Sequence, residues 1–222
     1  MYLDLSTDLA DPGAPVRNTL ASPERLALEF GRAGVSDRHR VVIYDRKAGY
    51  SAGRIWWALR FLGHAETTLL DGGFERWCAE DRPVSSDSAP PAPREFVARP
   101  EPGWLRTRAD MVRTLERGDA LILDARSADR FRGEGPEPAR RAGHIPGARN
   151  LPWSENLAGN PPTFRAVPEL RQLYEAAGVR FDRPVITTCG SGVTASLAAF
   201  LLSLAGHPEV SVYDGSWSEW GN

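Results

Sequence analysis

PVITTCGSGVTASLAAFLLSLAGHPEVSVYDGSWSEW, Pro184 to Trp220, lies without a gap over VVIYDRKAGYSAGRIWWALRFLGHAETTLLDGGFERW, Val41 to Trp77. Ile186 meets Ile43, Gly192 meets Gly49, Ala195 meets Ala52, Gly206-His207 meet Gly63-His64, Asp214-Gly215 meet Asp71-Gly72, and Trp220 meets Trp77. Each copy runs from a β-branched strand through a glycine-containing turn into an apolar helix that ends at Gly-His. A second strand follows and stops at Asp-Gly. This is a βαβ unit, and its strands run parallel because the helix carries the chain back to the starting edge. The repeat predicts an α/β chain of two tandem units, each a mainly parallel sheet flanked by helices.

Between the copies, PVSSDSAPPAPREFVARPEPG (residues 83–103) is rich in Pro and Ser and has little periodicity, which marks an extended linker with a short strand expected at Arg94 to Arg99. The second unit then has its own preamble. Thr107 is placed to cap a helix through Leu115 with Asp110 at its third position, and Ala120 to Leu123 forms a short strand ending in Asp124-Ala125-Arg126. An arginine-rich loop, Gly143-His144-Ile145-Pro146-Gly147-Ala148 and a helix from about Pro168 to Ala177 follow. Ahead of Val41 there is one helical pattern, Ser22-Pro23-Glu24 into Leu26 and Phe30. The expected organisation is an incomplete first unit over residues 1–84, a linker over 85–103, and a complete second unit over 104–222.

The 222 residues are 41% hydrophobic, enough for a packed core. A net charge of −2 gives no general reason to expect a nucleic-acid or anionic-membrane partner. No apolar run reaches membrane-spanning length, and MYLDLSTDLADPG has neither the basic nor the apolar region of a secretory signal, so a cytoplasmic protein is expected. The two cysteines, Cys78 and Cys189, lack C-x-x-C or zinc-type spacing, so neither a disulfide scaffold nor a metal is expected, and no cofactor is called for.

Cys189 is the candidate nucleophile. It falls at the carboxyl end of the strand Pro184 to Thr188 and just before the helix Val193 to Ala205, where open α/β sheets place their ligands. Gly190, Ser191 and Gly192 are small enough for the turn to curl its N–H groups around an anion, with Val193 and Thr194 adding the positive end of the helix. That environment stabilises a thiolate or a larger sulfur anion. The alternative is a cysteine acting as a small buried hydrophobe. The repeat supplies a control: the position matching Cys189 is Arg46, in a loop with no nucleophile, so one unit is active and the other supporting.

CGSGVTA (189–195), LDARSADRFRG (123–133), GHIPGA (143–148) and YDGSWSEW (213–220) together resemble the catalytic half of a two-domain rhodanese-type sulfurtransferase. DLADP, VVIYD, WWALRFLGH and LDGGFERW resemble the inactive first half of the same family. Within it, a CGSGVTA loop is similar to that of 3-mercaptopyruvate sulfurtransferases, whereas thiosulfate-preferring members carry a CRKGVT form. The resemblance implies transfer of sulfane sulfur from 3-mercaptopyruvate through a Cys189 persulfide to cyanide, a thiol or thioredoxin. Thiosulfate as donor, or an inert binding module, are the alternatives. Gly190 and Ser191 lack the cationic side chains that would help hold the thiosulfate dianion, while a mercaptopyruvate monoanion needs one arginine fork and hydrogen-bond donors. By resemblance Arg130 is that fork, and Arg140, after Pro136-Glu137-Pro138, is the second carboxylate arginine. Ser191 and Thr194 either donate to the substrate or cap the following helix.

Asp124 and Arg126 are expected to brace the loop as an ion pair, His144 to be structural, and Trp217 and Trp220 to wall the cleft or close the interface between units. A Cys-dependent phosphatase would need an arginine six positions after the cysteine, where Ala195 stands. The family's proposed Ser-His-Asp relay would draw its Ser from Ser191. Its His and Asp are expected in a segment ahead of Met1, which implies weaker activity and a less stable first unit.

Overall fold

The computed structural model describes residues 1–87, 89 and 91–222. The first unit contains α1 (Pro23–Arg32), β1 (Val41–Ile43), α2 (Ala52–Phe61), β2 (Thr67–Leu69) and α3 (Gly73–Ala79). Ser22 caps α1 by accepting the Arg25 N–H, and Pro23, which has no N–H to satisfy, takes the first turn. β1 and β2 pair in parallel, Val41 opposite Thr67 and Ile43 opposite Leu69, with α2 as the crossover.

The second unit contains β3 (Leu105–Arg106), α4 (Arg108–Arg117), β4 (Leu121–Asp124), α5 (Ala128–Arg132), β5 (Arg149–Asn150), the small hairpin β6 (Leu157–Ala158) and β7 (Thr163–Phe164), α6 (Val167–Ala176), β8 (Val185–Thr188), α7 (Val193–Leu204), β9 (Val210–Tyr213) and α8 (Ser216–Trp220). Thr107 and Asp110 close a reciprocal capping box on α4, as their spacing predicts. The main sheet has the order β3-β9-β8-β4-β5 and is parallel throughout. β8 is its middle strand, so the residue that follows it stands at the centre of the sheet's carboxyl edge.

The sequence repeat is also a structural one: β1, α2, β2 and α3 correspond to β8, α7, β9 and α8. Gly63 (φ +80°) and Gly206 (φ +89°) both turn the chain in the left-handed region after their helices, where a side chain would be strained. The two crossover helices lie against each other. A Cβ at Gly53 of α2 would sit 2.6 Å from the Leu197 Cα of α7, so glycine is what allows the backbones this close. Around that contact Trp56 meets Phe200 edge-on at 5.2 Å, and one continuous core runs from Leu26, Phe30 and Trp57 to Leu197, Leu201 and Val212. Met111, Ile122, Ile145, Ile186, Tyr213 and Trp217 cover the opposite face of the main sheet.

Arg94 to Arg99 is not a strand. It is a strap whose amides serve helix ends instead of a sheet edge: Arg94 N–H donates to Gly31 O (2.8 Å), which Gly34 N–H also reaches (2.9 Å), and Arg99 N–H donates to Leu62 O (2.9 Å), where α1 and α2 stop. Phe96 anchors it, buried against Phe30 with ring centroids 5.7 Å apart. β3 and β5, two residues each, are too short to carry a periodicity.

Candidate active site

Cys189 follows β8 directly and is 2% exposed. The start of α8 holds its backbone from below. Cys189 N–H donates to Ser216 Oγ (3.1 Å), Trp217 N–H donates to Cys189 O (3.0 Å), and Ser218 donates to Gly190 O through both its N–H (2.8 Å) and its hydroxyl (2.6 Å). Ser216 has φ +48°, where its repeat partner is Gly73 at φ +58°. A serine in the left-handed region costs on the order of 1 kcal/mol. It is kept because its hydroxyl bridges the Cys189 amide and the Tyr213 carbonyl (2.9 Å). Neither Ser216 nor Ser218 is singled out by the sequence pattern; the available signal is a serine at 216 where the twin unit has Gly73, and Ser218, opposite Glu75, has none.

Beyond Cys189, the amides of residues 190–195 donate to no acceptor among the described residues. Gly192, with φ +78°, starts α7 with no side-chain cap, so neither Ser191 nor Thr194 spends its hydroxyl on the helix. The twin loop shows what such a turn holds. There the Asp45 carboxylate accepts from the N–H groups of Lys47 (2.9 Å), Gly49 (2.9 Å), Ser51 (2.7 Å) and Ala52 (3.0 Å) and from the Ser51 hydroxyl (2.9 Å). Those four amides match Gly190, Gly192, Thr194 and Ala195 in the repeat register. One copy of the turn is filled by its own carboxylate; the other leaves the matching amides unengaged next to Cys189, a set of donors that suits an anion.

Burial by itself would raise the Asp45 pKa, and the hydrogen bonds from Ala52, Gly49, Lys47 and Ser51 outweigh it, so the group titrates below its ordinary value. A depressed pKa adds stability above the ordinary carboxylate range, and that stability is lost as pH falls through the lowered value. Asp45→Ala leaves those amides without their charged acceptor and is expected to cost about 2–3 kcal/mol at neutral pH. That should appear as a fall in Tm of roughly 5–10 °C. In Asp45→Asn the acid-side loss carried by this group should vanish, which thermal melts at pH 7 and pH 4 would show.

Arg130 in α5 lies over the loop. A Cβ at Gly190 would be 3.0 Å from one of its terminal nitrogens, so glycine leaves the space that the guanidinium occupies. The same guanidinium is bound to Glu137 through Nε (3.1 Å) and Nη2 (2.9 Å). Glu137 also accepts from Arg126 Nη1 (2.9 Å), and Arg126 pairs with Asp124 (2.7 Å), donates to Gly143 O (2.8 Å) and stacks over Trp217 at 4.7 Å. Asp124 and Arg126 are thus a buried brace, as their sequence context suggests. Arg140 is exposed: its amide is fastened to Asn222 Oδ1 (3.0 Å), and its side chain forms no ion pair among the described residues. His144 donates Nδ1–H to Phe131 O (2.8 Å) and stacks on that ring at 3.8 Å, a structural role. Trp217 is buried and donates its indole N–H to Arg141 O (2.9 Å). Cys78 is exposed and unpaired.

The first unit reaches the loop as well. Asn18 Nδ2 donates to Ser191 Oγ (3.2 Å), leaving the serine proton free to point elsewhere. Buried Arg54 of α2 donates to Asn18 O (2.5 Å) and pairs with Asp214 (2.6 Å), whose other oxygen accepts the Leu20 N–H (2.8 Å). Asn18 has φ +64°, a conformation asparagine tolerates better than most residues. The Asn18–Ser191 and Leu20–Asp214 contacts join residues 173 and 194 positions apart, and nothing local in the sequence announces them.

The rhodanese-like domain model matches residues 7–80 and 107–222. The chain is 40% identical over 215 residues to the 3-mercaptopyruvate sulfurtransferase of Rattus norvegicus, covering 95% of this chain and 72% of that protein. It is 35% identical over 223 residues to the protein of the same name from Escherichia coli K12, covering all of this chain and 78% of that one. The thiosulfate sulfurtransferase of Gallus gallus is 36% identical over 212 residues, or 95% of this chain and 73% of that one. Among solved structures, SseA of Escherichia coli, described as a 3-mercaptopyruvate sulfotransferase, superposes with a TM-score of 0.86 at 33% identity over 97% of this chain and 80% of that one. A doubled βαβ unit with a cysteine-centred turn in one copy, matched by this family over both halves, makes the chain a member of the rhodanese family.

Proposed function

We propose that the chain is a sulfurtransferase that carries sulfane sulfur from 3-mercaptopyruvate through a Cys189 persulfide to a thiophilic acceptor. The observation that carries this reading is the row of unengaged amides 190–195 around a buried cysteine, set beside a twin turn in which the same amides already bind a carboxylate. The Cys189 thiolate attacks the donor's sulfur, the donor's C–S bond breaks, and its electron pair becomes the enolate of pyruvate. The proton of the donor thiol moves to that enolate, so pyruvate leaves and a persulfide anion remains in the turn. Arg130 takes the donor's carboxylate, the Ser191 hydroxyl donates toward its carbonyl, and Gly190, Gly192, Val193 and Thr194 supply backbone N–H groups to the outer sulfur. An acceptor thiolate or cyanide then attacks that outer sulfur, the S–S bond breaks, and its electron pair returns to Cys189. A thioredoxin-like dithiol is the proposed protein acceptor. Among the described residues no helix is long and apolar enough to cross a membrane.

The test is intact-protein and peptide mass spectrometry after incubation with 3-mercaptopyruvate, and with thiosulfate in parallel. A gain of one sulfur atom on the peptide containing Cys189, with release of pyruvate, is the expected result. No adduct and no pyruvate would refute the reading, and faster loading from thiosulfate would reverse the donor order.

A further inference from the structure

The arginine that reads the donor does not enter the reaction as a free cation. Glu137, with a side chain 7% exposed, binds the Nε and Nη2 edge of Arg130 and also touches Arg126, which is already neutralised by Asp124. Two carboxylates and two guanidiniums therefore sum to zero at the wall of the loop. Arg130 Nη2 and Nη1 stand 3.0 and 3.5 Å from where a Gly190 Cβ would be, Nη1 has no acceptor among the described residues, and the side chain is 29% exposed. Gly190 and Ser191 add no charge of their own.

We propose that Glu137 is a specificity-determining residue: by balancing the Arg130 charge while fixing its orientation, it tunes the site to monoanionic sulfur donors and against dianionic ones. This rests on the sulfur-transfer reading of Cys189. A monoanionic 2-oxo thiol uses the remaining N–H groups of Arg130 as directional donors and adds one negative charge to a neutral wall. A dianion such as thiosulfate adds two beside the Cys189 thiolate, and the Asp124–Arg126–Glu137–Arg130 group has no surplus cation to meet the second. With thiosulfate the thiolate attacks the sulfane sulfur, the S–S bond breaks, and sulfite leaves with the electron pair. The covalent product is the same persulfide, so the two donors differ at this wall chiefly in charge.

Glu137→Gln keeps the size and an acceptor oxygen but frees one positive charge. The ratio of kcat/KM for 3-mercaptopyruvate to that for thiosulfate is expected to fall by about tenfold, with most of the change in KM for thiosulfate. Glu137→Asp, which keeps the charge, is expected to restore most of the ratio even if both activities drop. If both donors change in parallel in both variants, Glu137 is structural only and the proposal fails. Wild-type protein gives a second readout should Glu137→Gln not fold. At constant ionic strength, monoanionic pyruvate should compete with the donor at lower concentration than the sulfate dianion, and sulfate competing equally well or better would overturn the proposal. Absence of persulfide on wild-type Cys189 would instead defeat the underlying reading, so the two failures are distinct.

Discussion

Cys189→Ser is expected to lower sulfur transfer by on the order of 10⁴-fold or more, because a hydroxyl is too weak an acid and nucleophile to open the donor's C–S bond and cannot store the sulfane sulfur as a persulfide. The size of that loss can be assigned to chemistry and not to folding. The contacts that shape the turn here are backbone contacts, Cys189 N–H to Ser216 and Trp217 N–H to Cys189 O, and serine keeps both. The variant's Tm should therefore stay within about 5 °C of the parent. Cys78 is exposed and lies on α3 of the first unit, so Cys78→Ser serves as the control and should turn over normally. Pyruvate release measured for all three proteins decides it. A Cys189→Ser rate within about tenfold of wild type would put the nucleophile elsewhere.

The parts of this molecule that were legible in the sequence are those whose signal is local. The repeat exposed β1, α2, β2 and α3 and their twins because each copy switches from strand-like to helix-like periodicity and is punctuated by Gly49 or Gly192 and by Gly63 or Gly206. Cys189 stood out because the turn it occupies carries Arg46 in the other copy. Arg94 to Arg99 misled for the same reason: apolar Phe96 and Val97 look like a strand, and only the tertiary fold shows that their backbone answers the ends of α1 and α2. The contacts that finish the site were not legible. Asn18 meets Ser191 from the other unit, and Glu137 meets Arg130 and Arg126 across a loop of irregular backbone, where no period relates the residues. The Arg140 amide is held by Asn222 at the far end of the sequence, another contact that no local pattern announces.

The largest stability effect should come from Arg126, which touches no part of the proposed reaction. Its side chain is 1% exposed, and it serves the Asp124 carboxylate, Glu137 Oε2, the Gly143 carbonyl and the Trp217 ring together. Burial works to lower the Arg126 pKa, and the pairing with Asp124 and then Glu137 more than reverses this, so the guanidinium stays charged at every pH at which the protein folds. Arg126→Met keeps much of the volume but strands the buried Asp124 carboxylate and takes one of the two guanidiniums from Glu137, which keeps Arg130, and removing one partner of such a network costs about 3–5 kcal/mol. The expected fall in Tm is on the order of 10 °C or more. Asp124→Leu combined with Arg126→Met should cost less than the sum of the single changes, because the double variant buries one fewer orphaned charge. The same arginine supports the face of Trp217, whose N–H holds the Cys189 carbonyl, so the single variant should also lose turnover at temperatures where it remains folded. Thermal melts of the four-member cycle, with pyruvate release measured at a temperature well below each midpoint, separate the two effects. Strict additivity would show that Asp124 and Arg126 do not act as a pair, and unchanged turnover would show that the Trp217 support does not reach the loop.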